Sequence, residues 1–133
     1  MIQLGAAGGP LEVPPSPLPA SYERAFAKFE SEPDAMLMVA EVDGVVVGTF
    51  TLTILANLSN GARDVAQIES VHVAEAARNE GVGAAMLAWA IAEARRRDCS
   101  RLQLTSNKIR RDAHRFYRRL GFVASHEGMK LTL

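Results

Sequence analysis

The stretch 64–105 constrains this chain more than any other, because four patterns follow one another there without a break. Asp64–Val73 reads as a strand. A turn containing Gly81 and Gly83 comes next, and helical periodicity takes over at Gly81 and runs to about Asp98. Val82, Met86 and Trp89 form one apolar stripe of that helix and are expected in the core, with Leu87 and Ile91 on an adjacent one. Glu93 and Arg97 are spaced i, i+4 as a supporting ion pair. Arg101–Thr105 is then a second strand. Two strands joined through a helix form a βαβ crossover, which makes them parallel neighbours.

The flanks extend this unit into a mixed sheet. Ala35–Val42 and Val45–Leu55 are β-rich runs joined by Asp43-Gly44, the strongest two-residue hairpin signal. Asn57–Arg63, with Asn60-Gly61 inside it, is a second turn. Upstream, a short helix over about 20–31 places Tyr22, Phe26 and Phe29 on one face, and Pro33 ends it. Residues 1–20 hold five of the six prolines and read as an extended arm. Downstream, a helix over about 111–119 stops at Gly121, and Phe122–His126 and Met129–Leu133 look like closing strands. The expected class is α+β: a mixed, mainly antiparallel twisted sheet with a central βαβ crossover. The domain division is an arm over 1–20 and one domain over 21–133.

At 133 residues the chain can bury one continuous core and not two. Its longest apolar run, near Val45–Leu55, is interrupted by Gly48 and is too short to span a bilayer. There is no export signal, and Cys99 is the sole cysteine, so a reducing, cytoplasmic setting is expected. His72, His114 and His126 have no metal-ligand spacing, and no metal is expected. Net charge is zero, yet residues 1–70 carry nine acids against three bases, and residues 71–133 six acids against twelve bases. That polarity suggests an anionic partner for the second half and a cationic one for the first, or a dipolar surface without function.

The segment Arg78-Asn79-Glu80-Gly81-Val82-Gly83-Ala84 joins the strand to the long helix. Two glycines let backbone N–H groups converge beside the positive end of the helix dipole, a geometry suited to a pyrophosphate. A dinucleotide fingerprint starting at Gly81 would need Gly or Ala where Met86 stands, and the Gly-Lys-Ser/Thr of a P-loop is absent. A tight turn that needs glycine only for backbone room is the plainer reading.

Gln67–Val73 followed by A-E-A-A-R-N-E-G-V-G-A-A-M-L resembles the signature of the GNAT superfamily of acetyl-CoA-dependent N-acetyltransferases, and D-A-H-R-F-Y-R-R-L-G-F (Asp112–Phe122) resembles its next helix. The similarity covers roughly Ala35 to Leu133, and T-S-N-K…D-A-H-R-F-Y is especially similar to aminoalkylphosphonate acetyltransferases. The chain departs from the pattern in two places: the arm stands where the superfamily places a first strand and helix, and Arg110 stands where members often carry Asn. The resemblance implies a splay between two parallel strands and acetyl-CoA as co-substrate. Backbone amides of Arg78, Asn79, Glu80, Gly81, Val82, Gly83 and Ala84 would hold the pyrophosphate. Backbone groups of Val71, His72 and Val73 would meet the pantetheine arm, with Asn107, Arg110 and Tyr117 completing the cofactor set. A primary amine would attack the thioester directly. An alkyl amine with a pKa near 10 needs a base, for which Glu69 is the candidate, and Tyr117 occupies the general acid's place. The expected assembly is a homodimer binding neither nucleic acid nor membrane.

Two other readings stay open. Arg95-Arg96-Arg97 and the bases of 108–119 raise a nucleic-acid-binding module, although no stacking aromatics interleave them apart from Tyr117. The atypical N-terminus raises a catalytically silent CoA-binding or dimer-forming domain.

Overall fold

A computed structural model describes residues 15–133. Most of the arm expected over 1–20 therefore lies outside the described residues. The elements are α1 (Ala20–Ser31), β1 (Ala35–Val42), β2 (Val45–Leu55), β3 (Val65–Val73), a 3-10 turn (Glu75–Ala77), α2 (Val82–Arg96), β4 (Arg101–Leu104) and α3 (Arg111–Arg119). The sheet order is β1-β2-β3-β4. The first two pairings are antiparallel and the last is parallel, as a mixed sheet with one crossover requires.

The hairpin forms where Asp43 (φ 50°) and Gly44 (φ 77°) both take the left-handed conformation that matches the twist of paired strands. Along β2 the period of two is complete: Gly48, Phe50, Leu52 and Ile54 are buried, and Thr49, Thr51 and Thr53 turn to the opposite face. The buried face meets Met86, Leu87, Ala90 and Ala94 of α2. Gly48 lies so close beneath that helix that a Cβ would stand 2.6 Å from Met86 Sδ and 3.1 Å from the His72 carbonyl. Leu52, Ile68 and Leu87 form the fully buried centre. Leu87→Ala is expected to cost roughly 2–5 kcal/mol, read as a lowered urea midpoint with an unchanged slope.

The start of the parallel pair is pinned by the loops. Arg63 donates to Asp98 Oδ1 at 3.0 Å and to the Cys99 carbonyl at 3.1 Å. The Ser100 amide and hydroxyl both bond the Asp64 carbonyl, at 2.7 and 3.1 Å. Val65 thereby faces Arg101, and the ladder runs to Ile68 facing Leu104.

Two expectations are corrected. Phe122–His126 and Met129–Leu133 form no strands. Phe122 still packs its ring on Tyr117 at 5.8 Å, but the segment beyond it bonds locally, Ser125 N–H to the Val123 carbonyl. An alternating pattern becomes a strand only when a partner edge accepts it, and β4 remains an outer strand of the sheet. Trp89 is not a core residue. It is 40% exposed and touches Phe50 edge-on at 6.0 Å, because the buried face of α2 runs through Met86, Leu87, Ala90 and Ala94 and leaves Trp89 at its margin. The helix expected over about 20–31 forms as α1, with Phe26 51% exposed and none of its residues buried.

Candidate active site

The chemistry collects where β3 outruns β4. The two strands pair for four residues, and among the described residues no strand lies on the β4 side of β3 beyond Ile68 and Leu104. A bulge sits at this point: Thr51 faces Glu69 and Thr49 faces His72, so β3 spends one residue more than β2, and Ser70 takes φ 54°. A bulge bends its strand and strengthens the local twist. Here it falls directly after the last β3–β4 rung, Ile68 facing Leu104. A strand edge that runs past its neighbour's last rung presents backbone N–H and C=O groups sideways.

At the end of β3, Asn79 (φ 63°) and Gly81 (φ 83°) both adopt left-handed conformations, and Gly81 caps α2 without any side-chain hydrogen bond. A bond from the Ala85 amide to the Gly81 carbonyl, at 3.0 Å, marks the first turn of the helix. The amides of Gly81, Val82, Gly83 and Ala84 precede it, at the end where a helix has N–H groups to offer. Glu80 leads into them. Arg78 differs from its neighbours. Its amide bonds the Glu75 carbonyl at 3.2 Å and its Nε donates to the Val73 carbonyl at 3.3 Å, so it braces the corner between strand and helix. Gly83 has a packing role as well: a Cβ there would stand 3.2 Å from Phe116 Cζ. The plainer reading of this glycine, backbone room, therefore has a contact behind it.

From the other side, α3 brings Tyr117. It is buried, with its ring edge-on to Phe116 at 5.2 Å as well as to Phe122. Burial raises its pKa, with the Arg110 charge acting in the opposite direction, so the hydroxyl stays protonated at neutral pH. Arg110, at the start of α3, also acts on His72. The His72 pKa is lowered, first by burial and then by the Arg78 and Arg110 charges. The unfolded chain takes up this proton at about 6.5 while the folded one resists it, so His72 subtracts stability as pH falls below that value. A midpoint below 6.5 is expected for the His72 ring in an NMR titration, rising when Arg78 is replaced by Gln; a midpoint at or above the ordinary value would contradict this.

Asn107 shapes the approach to α3. Its side-chain oxygen accepts from the Ile109 amide at 3.1 Å, and its carbonyl accepts from the Arg110 amide at 3.0 Å and lies 2.9 Å from His114 Nε2. Glu69 is exposed on the face of the sheet opposite α2, with Gln67 Nε2 donating to its Oε1 at 3.1 Å. Sequence reasoning missed Ser106. Its hydroxyl is buried with no hydrogen-bond partner among the described residues, two residues beyond the end of β4. Burial of one hydroxyl carries no sequence signal. An orphaned hydroxyl near the parting of the strands, a bent strand edge and an uncapped helix start together fit a long ligand with an anionic end. A cleft of about 290 Å³ lies elsewhere, between α2 and β4 around Cys99 and Arg101, away from this geometry. Among the described residues no group of three or more His, Cys, Asp or Glu side chains is placed to hold a metal ion. No helix there is long and apolar enough to cross a membrane.

The sequence profile of the Acetyltransferase (GNAT) family matches residues 10–122. The chain belongs to the GNAT acetyltransferase family. Within it, the chain is 34% identical over 106 residues to an aminoalkylphosphonate N-acetyltransferase of Salmonella typhimurium, covering 80% of this chain and 68% of that protein. Among solved structures, a protein from Bacillus halodurans described as a transcriptional regulator is 41% identical with a TM-score of 0.87, covering 90% of this chain and 79% of that one. A Trypanosoma brucei acetyltransferase is 28% identical with a TM-score of 0.74, covering 88% and 82%. The GNAT fold also relates the chain to AAC(6')-Iy, solved with a bisubstrate analogue of CoA and monomethyl-acetylneamine, at 16% identity and a TM-score of 0.76 over 90% and 82% of the two chains.

Proposed function

We propose that this GNAT protein moves an acetyl group from acetyl-CoA to a primary amine of a small molecule by direct attack. The observation that carries the reading is the end of the β3–β4 ladder at Ile68 while β3 continues to Val73, next to an α2 start with no side-chain cap. In this reading the amides from Asn79 to Ala84 take the pyrophosphate, with Arg78 bracing the turn. Val71, His72 and Val73 take the pantetheine arm. Glu69, at the first residue past the last rung, strips the ammonium, directly or through a water. The Val71 or Val73 amide meets the developing oxyanion. Tyr117, kept protonated by burial, returns a proton to the leaving thiolate. Acetyl-CoA supplies the activated acyl group, and every other step falls to this chain's own residues.

The acceptor class follows from two features. Glu69 and the acidic first half favour a cationic amine, and the name of the Salmonella relative puts aminoalkylphosphonates first in a test panel. A nucleic-acid role finds little support in the basic run: Arg96 and Arg97 are engaged by Glu93 at 2.6 and 2.7 Å, and Arg97 by Asp34 at 3.1 Å. The reading includes a cytoplasmic homodimer over a single domain from residue 21, working without metal. Calorimetry with acetyl-CoA and a thiol-release screen against an amine library test it together. Saturable heat and release with at least one amine are expected. Heat without release for any amine would leave a silent CoA-binding domain, and no heat at all would remove the reading.

A further inference from the structure

We propose that Gln67 is a positioning residue for Glu69, aimed by a one-way chain of hydrogen bonds that starts at Arg101 and crosses from β4 to β3 through Gln103. This rests on the reading of Glu69 as the base. Three bonds make the chain: Arg101 Nε to Gln103 Oε1 at 3.0 Å, Gln103 Nε2 to Gln67 Oε1 at 2.8 Å, and Gln67 Nε2 to Glu69 Oε1 at 3.1 Å.

Backbone geometry puts the four side chains in line. Arg101 and Gln103 are two apart on β4, and Gln67 and Glu69 two apart on β3, so each pair shares the face opposite α2. The parallel register sets Gln67 directly beside Gln103. The ends then dictate the direction. A guanidinium can only donate and a carboxylate can only accept, so each glutamine must turn its oxygen toward Arg101 and its nitrogen toward Glu69. No other orientation of the two amides satisfies all three contacts. Bonds aligned head to tail polarise one another, and this chain ends on the oxygen whose partner in the same carboxyl must take a proton.

The arrangement answers a specific problem. A glutamate on an exposed strand face has several rotatable bonds and would spend much of its time pointing elsewhere. The Thr51 hydroxyl holds its backbone by donating to the Glu69 carbonyl at 3.2 Å, and Gln67 holds one end of its carboxylate. Among the described residues no donor meets Oε2, which leaves that oxygen for the amine.

Gln67→Met keeps the length and removes the donor. The expected result is a fall of about three- to tenfold in kcat, with an unchanged KM for acetyl-CoA and an unchanged melting midpoint. In a Glu69→Gln background the same change is expected to add nothing, because it acts through the carboxylate. Gln103→Met, on the other strand, is expected to cost less in the same direction. A readout independent of turnover comes from NMR: Glu69→Ala is expected to move the side-chain amide signals of both Gln67 and Gln103. Gln103 signals that stay in place, or equal losses from Gln67→Met in both backgrounds, would overturn the proposal. The two failures separate cleanly. A fully active Glu69→Gln protein removes the base reading, whereas an impaired Glu69→Gln beside a fully active Gln67→Met removes the positioning role alone.

Discussion

Replacing Tyr117 by phenylalanine is expected to slow turnover by about 10²–10⁴-fold while leaving acetyl-CoA affinity and melting midpoint close to those of the unaltered protein. The expectation of an intact fold comes from what holds the residue. Its ring packs edge-on between Phe116 and Phe122, and its carbonyl accepts the Leu120 and Phe122 amides at the end of α3. None of these contacts uses the hydroxyl. What the substitution removes is a proton donor whose pKa burial has pushed up. A CoA thiolate leaves fairly well unaided, since thiol pKa values lie near 8.5, and this places the loss toward the lower end of the range. An unaltered kcat in the thiol-release assay would take Tyr117 out of the chemistry and leave it a core residue.

Glu69→Gln is expected to lower kcat at neutral pH by about 10²–10⁴-fold with the KM for acetyl-CoA unchanged. The amide has the same shape and retains an oxygen for Gln67 Nε2, so the strand and the chain of bonds leading to it can persist. Only the capacity to take a proton goes. Glu69 has a simpler alternative role, attracting a cationic amine to the outer face of the sheet. That role predicts a different signature: a raised KM for the amine with kcat preserved. Steady-state kinetics with both substrates varied therefore distinguishes a base from an electrostatic lure.

Much of this architecture is readable from residues alone, and the particular failures show where local pattern stops. Asp43-Gly44 demanded a hairpin because few residue pairs accept two left-handed conformations in succession. The strand, glycine turn and helix from Gln67 to Ala84 were legible for the same reason, with Gly81 at φ 83°. Trp89 misled because a large apolar residue outweighs small ones in a helical pattern, and here Ala90 and Ala94 hold the buried face. The period-two run Met129–Leu133 looked like a strand, but pairing is a long-range event that no local pattern guarantees. In the site, Tyr117, Glu69 and the turn residues were named from residues and resemblance. The line from Arg101 to Glu69 was not legible, because it depends on the parallel register that Arg63 and Ser100 fix through contacts distant in sequence. Ser70 was equally silent, since nothing about a serine announces φ 54°.

That serine separates two kinds of protein. Strip out the one surplus residue and Glu69 would still face Thr51 and His72 would still face Thr49, so every neighbour relation recorded in the ladder would survive. Only the bend would go. A straight β3 would carry its edge on in line with the rungs it shares with β4 as far as Leu104. In the proposed reading, the room for a guest molecule beside β3 would thus owe its shape to a single extra backbone unit, with the rest of the architecture left as it is.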